Sequence, residues 1–157
     1  MNIPFAIRSA REDDLVAIVR LLAEDELGRL REDVVEPLPA FYVAAFREID
    51  RDPRHELLVV EDAGEVVATA QLSFLPSLTH RGGERAQIEG VRVAASRRGT
   101  GIGRALFARM IARAERRGCR MVQLTTDKRR GDARRFYESL GFEATHEGMK
   151  LTLPSTT

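Results

Sequence analysis

The part of this chain that most constrains its fold runs from Arg85 to Thr126. "RAQIEGVRV" reads as a strand, and three glycines follow at Gly99, Gly101 and Gly103. Leu106, Phe107, Met110, Ile111 and Ala114 then recur at helical spacing, Gly118 offers a C-cap, and "CRMVQLTT" reads as a further strand. Strand, glycine turn, helix, strand is a crossover unit, which favours parallel pairing and a right-handed connection. A chain built around it carries a sheet with at least one helix packed on a face.

The flanking segments add antiparallel elements. "IPFAI" starts as a short strand, and Ser9 and Glu12 stand at capping-box spacing before a helix with Leu15, Ile18, Val19 and Leu22 on one face. A second helix is expected after Pro37 and Pro39, with Phe41, Tyr42, Ala45, Phe46 and Ile49 aligned. The acidic stretch between them reads as solvated. "HELLVVED" and "VVATAQLSFL", joined at Ala63-Gly64-Glu65, predict a hairpin. "GDARRFYESLGF" predicts a short helix with Asp132 as N-cap and Gly141 just past its end, and "FEAT" and "GMKLTL" read as two last strands. The expectation is an α/β (α+β) fold: one domain over residues 1–157, with a mixed, mostly antiparallel sheet of six to seven strands flanked by about four helices.

Composition removes several functional classes. With 157 residues the chain is long enough to bury a real core. Its 25 basic and 24 acidic residues nearly cancel, so it lacks the global positive field that drives nucleic-acid binding. A single cysteine, Cys119, excludes an internal disulfide and a cysteine-rich zinc cluster, and His55, His80 and His146 are too scattered for a metal site. "MNIPFAIRSAREDD" does not read as a signal peptide, and "VVATAQLSFLPSL" is too short and polar to span a bilayer. The expected protein is cytoplasmic, with no metal, no membrane and no nucleic acid; a homodimer stays open.

The glycine loop can be tested against known phosphate-holding designs. A Walker loop needs Lys and then Ser or Thr after its last glycine, but Arg104 and Ala105 follow Gly103. A dinucleotide fingerprint beginning at Gly99 and Gly101 needs a third glycine where Arg104 stands. What remains is Arg98, Gly101 and Gly103 as R-x-x-G-x-G at the mouth of a helix, where loop amides and unpaired first-turn N–H groups can converge on a pyrophosphate.

In this respect the chain resembles the GCN5-related N-acetyltransferases, whose signature is [Q/R]-x-x-G-x-[G/A]. "RRGTGIGRAL" carries it between a strand and a helix, and "DARRFYESLGF" resembles the family's second conserved segment. The resemblance implies acetyl-CoA as co-substrate and direct acetyl transfer to a primary amine on a small molecule or peptide. It implies that the main chain near Val91, Val93 and Ala94 takes the pantetheine arm like an added strand, with a nearby N–H polarising the thioester carbonyl. It places Arg98, Gly101, Ile102, Gly103 and Arg104 at the pyrophosphate, with Gly99 easing the turn. It also makes Tyr137 a cofactor contact and the general acid for the leaving thiolate, a reasonable donor since a phenol titrates near ~10 and a thiol near ~8.5.

The side chains admit plainer readings too. Ala133, Phe136, Tyr137 and Leu140 form a helical stripe, so Tyr137 also reads as a core aromatic. Glu89, on the strand leading to the thioester, is either a base acting through water or a carboxylate paired with one of the arginines, and Gly90 marks a candidate bulge that re-aims it. Arg113, Arg116, Arg117, Lys128, Arg129 and Arg130 read as a solvated face, and Cys119 as a small buried hydrophobe. Asp132 stands where the family often has Asn. By resemblance the amine site is built from the segment joining the first two helices, the "PSLTHRGGE" loop with His80, and the "THEG" turn. Glu24, Asp25 and Glu26 in the first would attract a cationic amine. The competing class is an acyl-CoA-binding regulatory module of the same fold without turnover.

Overall fold

The computed structural model describes residues 4–155, which fall into two compact units, Met1–Leu124 and Thr125–Thr157. The first unit holds one sheet of β1 (Phe5–Ser9), β2 (His55–Asp62), β3 (Glu65–Leu75), β4 (Arg85–Val93) and β5 (Met121–Leu124), in that spatial order. The first three junctions are antiparallel and β4 pairs parallel to β5. Its helices are α1 (Leu15–Leu22), α2 (Glu26–Arg29), α3 (Ala40–Arg51), α4 (Thr79–Gly82) and α5 (Ile102–Arg117); α6 (Gly131–Ser139) lies in the second unit.

Burial on both faces explains why β2 and β3 read as continuous apolar runs instead of alternating ones. Leu58, Val59 and Val60 are all buried, as are Val67, Ala68, Ala70, Leu72 and Phe74. On the face carrying Leu57 and Val59, α1 and α3 pack Leu15, Ile18 and Phe46. Glu56 and Phe74 lie on the other face with α5: Arg113 and Arg117 stack over the Phe74 ring at 5.1 and 4.2 Å, and Arg113 Nε donates to Glu56 at 2.7 Å. Leu106, Phe107, Met110 and Ala114 of α5 are buried, as their spacing predicts.

Three expectations are corrected. Among the described residues the sheet has five strands, not six or seven, because residues 142–155 form no ladder. Their alternating pattern makes "GMKLTL" competent for a strand, but a strand exists only where a neighbour takes its N–H and C=O groups. The four long helices agree with the expectation; α2 and α4 are extra single turns too short for periodicity to register, and in α4 His80 and Arg81 take left-handed angles (φ 52 and 59). Ser9 caps nothing, because it ends β1; Asp14 does the capping, its Oδ2 accepting the Arg11 N–H at 2.7 Å. Ile3 of "IPFAI" lies outside the described residues.

Asp14 also anchors α1 to the sheet. It is buried, accepts both terminal nitrogens of Arg8 at 2.8 and 3.0 Å, and Arg8 reaches on to Glu61 at 2.9 Å. The Arg8 hydrogen bond holds the Asp14 carboxyl below its usual range against the opposing effect of burial. A group with a lowered folded pKa contributes stability above its unfolded pKa of about 4, and the contribution is lost as pH falls through the folded value. Asp14→Ala is therefore expected to cost about 2–3 kcal/mol at neutral pH, leaving Arg8 and the Arg11 N–H underpartnered. Urea titrations of both chains should converge as the pH drops below about 4.

In the second unit, α6 ends in a closed turn: Gly141 (φ 96) donates to Glu138 at 3.0 Å and Phe142 to Tyr137 at 3.1 Å. The residue expected just past the helix end is where the chain needs it.

Candidate functional site

The candidate site starts from the two edges of β4. Toward β5, only Arg85–Ile88 are paired, with Met121–Leu124. Beyond Ile88 no strand among the described residues pairs with β4 on that side. Toward β3, Gln71 opposes Glu89 and Thr69 opposes Arg92, so Gly90 and Val91 together face the single residue Ala70. This is a bulge, and Gly90 accommodates it with φ 63, a region costly for side-chain-bearing residues. The Ala94 N–H donates to the Val67 carbonyl of β3 at 2.8 Å. Strand alternation then aims the main-chain groups of Arg92 and Ala94 at β3 and those of Val91 and Val93 at the open edge. On that edge the Val91 carbonyl accepts Arg92 Nη1 at 2.8 Å and the Val93 carbonyl accepts Arg98 Nε at 3.3 Å.

The glycine loop continues this edge. After a 3-10 turn at Ala95–Arg97 the chain passes Gly99 (φ 75) to Gly101, which caps α5 with φ 87. The first intrahelical bond runs from the Ala105 N–H to the Gly101 carbonyl at 3.0 Å. The amides of Ile102 and Gly103 thus have no acceptor within the helix, at its positive end. Ile102 is buried and pins the helix start to the core, while Arg104 is exposed. Arg97 is drawn away to Asp62 at 3.0 Å, leaving Arg98 as the loop arginine beside the open edge. A slot with strand-like main-chain groups along its side and a helix N-terminus at its end suits an extended, amide-bearing ligand with an anionic tail.

Glu24 was not foreseen here. Its carboxylate accepts the Ala95 N–H at 3.1 and 3.2 Å and lies 3.9 Å from Arg98 Nη2. The acidic run read as solvated therefore reaches the loop, and Asp25 caps α2 by accepting the Gly28 N–H at 2.7 Å. No local pattern signals a contact between residues 71 apart in sequence.

Glu89 is exposed on the sheet face that α1 and α3 cover, next to the bulge. It accepts Gln87 Nε2 at 2.8 Å, and Gln87 Oε1 accepts Gln123 Nε2 at 3.0 Å. Among the described residues it makes no ion pair with an arginine. The two glutamines share one side of the parallel β4–β5 pair at matched register, a placement that emerges only once that pairing is known.

The model of the acetyltransferase (GNAT) family matches residues 11–142. The chain belongs to the GNAT family. It is 30% identical over 149 residues to the glucosamine 6-phosphate N-acetyltransferase of Trypanosoma brucei brucei, covering 94% of this chain and 95% of that one. A crystal structure of a transcriptional regulator from Bacillus halodurans C-125 superposes with a TM-score of 0.93 at 51% identity, over 95% of this chain and 99% of that one. An acetyltransferase structure from Trypanosoma brucei gives 0.75 at 29% identity, over 95% and 99%.

Val91, Val93, Arg98, Gly99, Gly101, Ile102, Gly103 and Arg104 of this GNAT chain thus lie on one continuous path, with Glu89 beside it. Ala94 departs from the expectation, since its N–H is already taken by β3. Tyr137 lies in the second unit, on α6, half-buried with its ring 5.8 Å from Phe136 and 6.3 Å from Phe142. Asp132 sits in the first turn of α6 and pairs with Arg135, and Arg130 holds the N-cap position instead. Arg113 and Arg117 are not a solvated face; both are held by carboxylates and by Phe74. Burial pushes the Cys119 thiol up, as does Glu84 3.8 Å away, which suits a packed thiol and not a nucleophile. His80 is exposed in its left-handed turn. Among the described residues no three His, Cys, Asp or Glu side chains converge on a metal-sized site, and no helix is long and apolar enough to cross a membrane.

Proposed function

We propose that this GNAT chain moves the acetyl group of acetyl-CoA to a primary amine by direct attack. One observation carries the reading: the open edge of β4 at Val91 and Val93 runs straight into the glycine loop and the N-terminus of α5. Acetyl-CoA fits these donors, since its pantetheine arm offers amides to an edge strand and its pyrophosphate suits a helix N-terminus. When bound it supplies an activated thioester carbonyl.

The chain's own residues do the rest. Val91 and Val93 align the arm, with Val93 freed as Arg98 swings from its carbonyl toward the phosphates. Because the Ala94 N–H is committed to β3, the Val91 N–H is the donor assigned to the thioester oxygen. Glu89 takes a proton from the attacking amine through water, and Tyr137 returns one to the departing sulfur as the new C–N bond replaces the C–S bond. Glu89→Gln is expected to lower turnover about 10- to 100-fold near neutral pH and less where the amine is already neutral. A pH–rate profile that is unchanged would leave Glu89 a member of the glutamine network only.

A second reading, an acyl-CoA-binding regulatory module, is favoured by the transcriptional regulator with which the chain shares 51% identity. Free thiol release separates the two. The chain is incubated with acetyl-CoA and, in turn, glucosamine 6-phosphate, the acceptor in the name of the trypanosomal relative, a polyamine, an aminoglycoside and a peptide with a free N-terminus. Amine-dependent thiol release supports transfer, whereas retained acetyl-CoA binding without turnover across the panel supports the module.

A further inference from the structure

Glu89 is held by a chain of two amides that runs across β4 and β5. Its Oε1 accepts Gln87 Nε2 at 2.8 Å, and Gln87 Oε1 accepts Gln123 Nε2 at 3.0 Å. Gln87 and Glu89 are two apart on β4 and so share a face, and Gln123 is the register partner of Gln87 on β5. All three residues belong to the first unit, so these contacts lie wholly within it. An ionised carboxylate only accepts hydrogen bonds, whereas a side-chain amide has one donating end and one accepting end. Glu89 therefore fixes Gln87 with its NH2 toward the carboxylate and its carbonyl toward β5. Gln123 is left with one compatible orientation, NH2 toward Gln87. Conversely, whatever sets the Gln123 amide sets the donor that Gln87 offers to Glu89.

We propose that Gln87 and Gln123 are positioning residues for the general base. Gln123 orients the Gln87 amide, Gln87 holds Oε1 of Glu89, and Oε2 is thereby aimed at the water that carries the proton away from the amine. Among the described residues of the first unit, Oε2 accepts no hydrogen bond. A carboxylate at the end of a flexible side chain needs such a tether, since misplacement by about 1 Å is enough to cost rate. Neutral amides suit the task better than an arginine would, because a paired positive charge lowers a carboxylate's affinity for the proton that it must take. The proposal rests on the assignment of Glu89 as the base and adds to it how the base is held.

Gln123→Glu keeps the size of the side chain but leaves only acceptors, so it draws the Gln87 NH2 to itself and turns the Gln87 carbonyl onto Glu89. With acetyl-CoA and an amine of the panel above that gives thiol release, it is expected to lower kcat about 10-fold while KM for acetyl-CoA and the unfolding temperature hold. Gln123→Met, which frees the Gln87 amide without reversing it, is expected to cost less. In a Glu89→Gln background neither substitution should lower kcat further, since no carboxylate remains to be positioned; a merely structural role predicts the same loss in both backgrounds. Glu89→Gln by itself tests the underlying assignment. An unaltered rate shows that Glu89 is not the base, and the proposal falls with it, as it does if no amine of the panel gives turnover. A lowered rate, with Gln123→Glu as active as the unaltered chain, overturns the amide relay alone. A second readout needs no acceptor. The side-chain carboxyl carbon NMR resonance of Glu89 is expected to move on Gln123→Met, although the hydrogen bond of Gln123 is to Gln87. A resonance indifferent to position 123 overturns the relay.

Discussion

Gly101→Val is expected to abolish measurable acetyl-CoA binding while leaving the sheet intact. Gly101 caps α5 with φ 87, a left-handed angle that a β-branched residue adopts only at a cost of roughly 1–3 kcal/mol. A Cβ built there meets no atom within 4 Å, so the core is not disturbed. The new side chain instead projects from the loop whose amides are assigned to the pyrophosphate, and strain relief would turn those amides away. Loss of both contributions predicts an affinity at least about 100-fold weaker by calorimetric titration. Thermal unfolding should move by only a few degrees. Unchanged affinity would remove the loop from the cofactor site.

Tyr137→Phe is expected to lower turnover about 100-fold or more with acetyl-CoA affinity retained, the size of effect that a positioned proton donor supplies. The substitution keeps the ring beside Phe136 and Phe142 and removes only the hydroxyl. Packing therefore survives, and a purely structural role predicts an unaltered rate. Use of an acceptor amine with a single pKa makes the comparison clean, because the pH dependence of the amine is then common to both chains.

The crossover at the centre of the chain was legible because its determinants are local. The strand expected at "RAQIEGVRV" is β4 residue for residue, Gly90 marks the bulge, and the helix between the glycine loop and Gly118 is α5. What escaped depends on partners far away in sequence. The slot exists because β4–β5 pairing stops at Ile88 and Leu124, a register that no single segment encodes. Glu24, just past α1, reaches Ala95, just past β4, because α1 packs against β4. Arg113 and Arg117 look solvated until β2 and β3 set Glu56 and Phe74 beneath α5. The strand expected at residues 148–153 does not form, because a period-two pattern alone supplies no neighbour for its main-chain groups.

On the proposed reading, acetyl-CoA lies along the open edge of β4 with its pyrophosphate on the first turn of α5. Amide hydrogen exchange resolved by residue, with and without acetyl-CoA, tests it directly. The amides of Val91, Val93, Ile102 and Gly103 should gain protection on binding. Those of Arg92 and Ala94, which face β3, should change little and serve as internal controls. Saturable binding with protection gained elsewhere, and with Val91 and Val93 unchanged, would rule out this placement of acetyl-CoA.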